Sequence, residues 1–105
     1  MLRILLTCSG GMSSAMVVNA LIKEGKNRGL EIESKAVGTA DVAKELDSSK
    51  WDGILVAPQV RHMLDGLRPT AESHGVPIVA IKPQAYSPLG AKFLMEHLKE
   101  MNLID

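Results

Sequence analysis

Three short apolar runs and one alternating stretch punctuate the chain, and stretches with helical periodicity fill the gaps between them. Leu2-Arg3-Ile4-Leu5-Leu6, Gly53-Ile54-Leu55-Val56-Ala57 and Pro77-Ile78-Val79-Ala80-Ile81 are nearly continuous in aliphatic residues, the pattern of strands covered on both faces. Glu31-Ile32-Glu33-Ser34-Lys35-Ala36-Val37 instead alternates charged and less polar positions, which fits an edge strand with one wet face. After the first run, Ala15 to Ile22 is apolar around most of a helix circumference, with Asn19, Lys23 and Lys26 as its polar stripe. Ser13 or Ser14 is the predicted N-cap of this helix and Gly29 its stop signal. Gly38-Thr39-Ala40-Asp41 is predicted to lead into a short helix through about Asp47. Another starts near Val60 and carries Met63, Leu64 and Leu67. Pro69 predicts a break in it at Gly66 to Arg68, with the proline opening a second short turn. The last helix is predicted from about Pro88 or Leu89 to Met101, with Ala91, Leu94, Met95, Leu98 and Met101 on one face.

Strands alternating with helices at this spacing require right-handed crossovers and hence a parallel sheet. The expected fold is therefore α/β: a small doubly wound, four-stranded parallel sheet in the order 2-1-3-4 with helices on both faces, residues 1–105 forming one domain. In such a sheet the ligand crevice lies beyond the carboxyl ends of the strands where the order reverses, here between strands 1 and 3. Cys8 follows strand 1 and Pro58-Gln59 follows strand 3, so two segments some fifty residues apart are expected to converge there.

Composition narrows what that crevice does. Twelve basic and twelve acidic residues cancel without forming a block of like charge, which leaves little of the phosphate-neutralising attraction that dominates nucleic-acid affinity. No apolar run approaches the roughly 18 to 20 residues of a membrane span, so a cytoplasmic protein with no direct membrane insertion is expected. A single cysteine forms no internal disulfide, and without a CxxC pair or a neighbouring histidine no metal site is expected, nor any organic cofactor.

That cysteine sits in Thr7-Cys8-Ser9-Gly10-Gly11-Met12-Ser13-Ser14, between a strand and a helix. A glycine-containing loop in this position can turn several backbone N–H groups inward, and the first turn of the helix adds its own, making a cup for an anion. The same dipoles favour a thiolate at its lip, and the thiolate is the nucleophile. Gly10 and Gly11 permit close approach to a tetrahedral group, while the Ser9, Ser13 and Ser14 hydroxyls supply further donors. Two readings follow from the residues alone: a sulfur that captures a phosphoryl group, or a small buried apolar residue, which is what most unpaired cysteines are.

The Cys8-Ser9-Gly10-Gly11-Met12-Ser13-Ser14 segment directly after an N-terminal strand resembles the phosphocysteine loop of the lactose/cellobiose-type IIB components of the bacterial phosphoenolpyruvate-dependent sugar phosphotransferase system. Ala57-Pro58-Gln59-Val60 resembles the family's Pro-Gln step after strand 3, and Tyr86 with Gly90 its segment before the last helix. The resemblance implies a phosphotransferase that accepts a phosphoryl group from a IIA phosphohistidine protein and passes it to a sugar held by the IIC membrane permease. Cys8 would be the phosphorylated residue, with Ser9, Gly10, Gly11, Met12, Ser13 and Ser14 as the phosphate-binding loop. Arg61-His62 departs from the family pattern, where apolar or aromatic residues are more familiar.

The rival is a low-molecular-weight-type cysteine phosphatase. Its loop closes on an arginine six residues after the cysteine, which clamps the phosphoryl oxygens bidentately. Position 14 is serine here, and the chain has no Asp-Pro dipeptide for the leaving-group acid. Around the crevice, Gln59 is a donor to the phosphoryl oxygens or a cap for the next helix, and His62 and Tyr86 are further candidates. Met12, Val60, Met63 and Tyr86 are expected to form an apolar docking rim, Trp51 to cover the far end of the sheet, and His74 and His97 to lie on the surface.

Overall fold

The computed structural model describes residues 1–9, 13–87 and 89–104, with Ser13 and Ser14 described by their backbone alone. Strands β1 (Leu2–Cys8), β2 (Ile32–Gly38), β3 (Gly53–Val56) and β4 (Ile78–Ala80) form one parallel sheet in the order β2-β1-β3-β4. The crossovers carry α1 (Ser13–Asn27), α2 (Val42–Ser48) and α3 (Leu64–Ser73), and α4 (Ala91–Glu100) follows β4. Short 3-10 turns at Thr39–Asp41, Pro58–Met63 and Pro83–Ala85 open the connections at the carboxyl ends of β2, β3 and β4.

The pleat decides the two cores. Leu5, Ile54 and Val56 point to one face of the sheet and pack with Val42, Leu46, Leu67 and Ala71 from α2 and α3. Ile4, Leu6 and Leu55 point to the other and pack with Val17, Leu21, Leu94, Met95 and Leu98 from α1 and α4. All four β3 residues are buried, as their continuous apolar run requires, whereas Glu33 and Lys35 on edge strand β2 face solvent.

The three longer helices end alike. After α1, the Leu30 N–H reaches the Gly25 carbonyl at 2.7 Å and the Gly29 N–H that of Lys26 at 3.1 Å, closing the last turn with Gly29 at φ +75°. The same pair of bonds closes α3 through Gly75, at φ +69°, and closes α4 through Asn102, at φ 60°. This left-handed cap satisfies carbonyls that the helix leaves open, at no steric cost to glycine and a tolerable one to asparagine.

Four expectations need correction. No break occurs at Gly66 to Arg68: α3 continues through Pro69. The ring removes one N–H, but Pro69 and Asp65, the residue whose carbonyl loses its bond, are both exposed, so water takes over while Leu67 and Ala71 hold the helix to the core. The backbone instead changes earlier, at Val60 (φ −122°, ψ 21°), inside the 3-10 turn. Ser13 is the first residue of α1, which places both serines inside its first turn rather than at the cap. The final helix begins at Ala91, with Gly90 as its N-cap. His97 is not on the surface but only 2 % exposed, on the buried stripe of α4.

Candidate functional site

The carboxyl ends of β1, β3 and β4 are level with one another. Thr7 is paired with Val56 and Val56 with Ala80; the Ala57 N–H then donates to the Thr7 carbonyl at 2.9 Å and the Ile81 N–H to that of Val56 at 2.8 Å. These bonds carry the pairing one residue past each strand and bring the Pro58-Gln59 segment alongside Cys8. The expected convergence across the switch point is what the backbone does.

Cys8 is the last residue of β1, paired with Gly38 of β2 and only 5 % exposed. By simple alternation it shares a face with Ile4 and Leu6, yet it packs in the cluster of Leu5, Ala57 and Val60. The regular pleat has run out at this position, and the side chain leans toward the β3 exit. Ser9 is exposed immediately beyond it. Gly10, Gly11 and Met12 of the expected phosphate loop lie outside the described residues, and Ser13 and Ser14 supply the backbone of the first turn of α1.

Thr7, one residue before the cysteine, is fully buried, and its hydroxyl has no hydrogen-bond partner among the described residues. A buried orphan hydroxyl costs about 1–3 kcal/mol, so Thr7→Val, which keeps the shape and removes the oxygen, is expected to raise the unfolding free energy by about 1 kcal/mol. A urea titration in which Thr7→Val is less stable would show that the hydroxyl is engaged.

The second wall comes from β4. A shallow, largely apolar hollow of about 390 Å³ is lined by Pro58, Gln59, Pro83 and Tyr86. Tyr86 packs against both cores, which a side chain past the end of a strand can do only by lying over the end of the sheet. Its segment is fixed twice. The Lys82 N–H donates to His97 Nε2 at 3.1 Å, and since Nε2 accepts, Nδ1 carries the proton and donates to Glu100 Oε2 at 3.3 Å. Gly90 lies so close to the backbone of Gln84 and Ala85 that it has no room for a side chain. His97 was legible as an anchor only in its spacing, three residues after Leu94 and next to Leu98 on the buried stripe.

The other candidates divide. Gln59 is exposed beside the hollow and caps nothing: Ala57 is the N-cap of the 3-10 turn and Met63 that of α3. His62 is exposed on the same turn but does not line the hollow. Val60 is 6 % exposed and belongs to the core under Cys8, so it is removed from the expected docking rim. Met63 is 38 % exposed, and Met16 in the first turn of α1 and Leu89 on the approach to α4 are exposed too. Among the described residues, no cluster of three or more His, Cys, Asp or Glu side chains could hold a metal, and no helix is long and apolar enough to cross a membrane.

The opposite end of the sheet is structural. There the Arg3 guanidinium lies 4.4 Å from the centre of the buried Trp51 ring and donates to the Lys50 carbonyl, while the backbone N–H of Arg3 donates to Asp52 Oδ2 at 2.8 Å. A larger hollow of about 480 Å³ opens there between the ends of α2 and α3, but it contains none of the candidate residues. His74 lines it, with Nδ1 at 2.9 Å from the Thr70 carbonyl and Nε2 at 2.8 Å from Asp47 Oδ1. The carbonyl chiefly, then the carboxylate, favour the imidazolium and raise its pKa above the ordinary 6.5. A raised folded pKa stabilises the fold fully below 6.5 and ceases to as pH rises through the folded value. His74→Gln should therefore melt below wild type in mildly acidic buffer, with the gap closing in alkaline buffer; a gap that does not depend on pH would exclude this ion pair as its source.

The whole arrangement has known counterparts. The model of the family described as PTS system, Lactose/Cellobiose specific IIB subunit matches residues 3–97. The chain belongs to this family. It is 36% identical over 103 residues to the PTS system cellobiose-specific EIIB component of Lactococcus lactis subsp. lactis (strain IL1403), covering 94% of this chain and 95% of that protein. It is 35% identical over 92 residues to the oligo-beta-mannoside-specific EIIB component of Bacillus subtilis (strain 168), covering 88% and 87% respectively. Its fold superposes on the lactose-specific IIB component domain from Streptococcus pneumoniae with a TM-score of 0.74 at 27% identity, over 91% of this chain and 96% of that one. The chain is thus a sugar-specific IIB component of the phosphotransferase system, with the fold of its solved relatives. In the lactose-specific EIICB component of Lacticaseibacillus casei the matched region makes up 15% of a longer protein.

Proposed function

We propose that Cys8 is a phosphoryl carrier on the cytoplasmic side of sugar uptake. In the first step its sulfur attacks the phosphorus of a phosphohistidine on a IIA protein: the P–S bond forms, the P–N bond breaks and the imidazole leaves. In the second, a hydroxyl of a sugar held by a IIC permease attacks the same phosphorus: the P–O bond forms, the P–S bond breaks and the departing sulfur takes up the hydroxyl proton. In-line transfer of this kind is mostly positioning and charge stabilisation, so backbone N–H groups around the sulfur suffice when the incoming group is already activated.

The observation that carries this reading is the position of Cys8: the last residue of β1, at the switch point, beside the Pro58-Gln59 exit of β3 in a IIB-family chain. Its near-complete burial suits a carrier, because a partner's imidazole pressed against the surface reaches a recessed sulfur while bulk water is excluded. The exposed Met16, Met63 and Leu89 with Tyr86 form the apolar part of the IIA contact.

Intact-mass analysis after incubation with phosphorylated IIA tests the reading. One phosphate adduct, discharged when sugar and IIC-containing membranes are added, is the expected result. Steady release of inorganic phosphate from a small phosphoester would mean a phosphatase instead.

A further inference from the structure

The chain is neutral overall, but its charges are unevenly placed. Acidic residues are absent between Asp52 and Asp65 and again between Glu72 and Glu96, the two stretches that form the exits of β3 and β4. The first 23 residues, which include β1 and the cysteine segment, have none either. The hollow beside Cys8 is lined by uncharged residues, and the charged side chains on the two segments that flank it are basic. Arg61 is exposed two residues after Gln59, Lys82 is exposed directly before Pro83, and Lys92 is exposed in the first turn of α4, next to the Gly90 contact. Among the described residues, none of the ion pairs involves Arg61, Lys82 or Lys92, in contrast to Arg3, Arg28 and Lys35, each held by a glutamate. Asp65 is the nearest acid in sequence and Asp41 has its carboxylate near Gly38, the strand partner of Cys8; neither lines the hollow.

We infer that this rim selects a phosphoryl donor whose phosphohistidine is surrounded by acidic side chains. The inference rests on the carrier reading and adds the chemistry of the partner. Exposed Arg61, Lys82 and Lys92, held by no acid of the described residues and carried on the segments that flank the hollow, fit a protein surface of the reverse charge, which gains encounter rate from attraction and loses wrong partners to like-charge repulsion. The attraction acts before contact, so its mark is on association and on salt dependence rather than on the transfer step.

The test is the second-order rate of Cys8 phosphorylation by the phosphorylated IIA protein of a cellobiose-type system, followed by intact mass at low and high salt. The Arg61→Glu/Lys82→Glu double variant is expected to be slower by about tenfold at low salt, with the difference shrinking as salt rises and the saturated single-turnover rate unchanged. Arg61→Gln/Lys82→Gln should fall between, and all three proteins should melt alike, since both side chains are exposed. Equal rates for wild type and the charge-reversed variant overturn the inference while leaving the carrier intact; wild type that takes up no phosphate overturns the carrier reading itself. Vesicles of anionic phospholipid that bind wild type but not the double variant, with transfer rates equal, would assign the rim to a lipid surface and likewise overturn it.

Discussion

Replacing Cys8 by alanine is expected to abolish phosphoryl uptake altogether. Cys8 supplies the sulfur at the exit of β1, and a thiol is intrinsically far more nucleophilic than a serine hydroxyl in the same place. Cys8→Ser is thus also expected to be inactive, and to carry a second defect. Position 8 packs among Leu5, Ala57 and Val60, so the exchange also replaces a large polarisable atom of that cluster by a smaller and more strongly hydrated one. Alanine separates the two effects, because it removes the nucleophile without burying a polar group. The check is intact mass together with a denaturation curve: Cys8→Ala folded and free of phosphate, Cys8→Ser free of phosphate and less stable. A phosphate adduct on folded Cys8→Ala would place the acceptor elsewhere and remove the mechanism.

The sheet was readable because β1, β3 and β4 announce themselves as aliphatic runs and β2 as an alternating one, and because parallel strands joined by helices admit few orders. The cysteine's place followed from that topology. What escaped the pattern was decided by contacts that periodicity does not carry. Pro69 reads as a breaker, yet its lost bond faces water and its neighbours Leu67 and Ala71 are buried, so tertiary packing overrides the local preference. Val60 reads as a rim residue, but the 3-10 turn after β3 rotates it beneath Cys8. His97 reads as polar and therefore outward, whereas the Lys82 N–H supplies the partner that makes its burial affordable. Each miss concerns where a polar or backbone group finds its hydrogen bond.

Gly90→Ala is expected to be the most damaging change outside the cysteine. The backbone at Gly90 has φ −97°, which any residue adopts, so conformational strain plays no part. The obstacle is space: an added methyl would meet the Gln84 carbonyl oxygen, with the Ala85 Cα at 2.8 Å and carbonyl carbon at 3.0 Å. These are main-chain atoms that no rotamer change can clear, in contrast to Gly53, where a methyl would meet the movable ends of Leu103 and Met101. Either α4 or the Pro83–Ala85 turn must shift, and overpacking of this kind costs about 1–3 kcal/mol. The shift also pulls on both supports of Tyr86, because the Lys82 N–H is bonded to His97 on the same helix. A lower urea midpoint with an unchanged slope, together with slower phosphoryl uptake from the protein donor, is the expected pair of results. Wild-type stability in Gly90→Ala would mean that the turn and the helix are not in the contact described, and the wall of the hollow would lose its anchor.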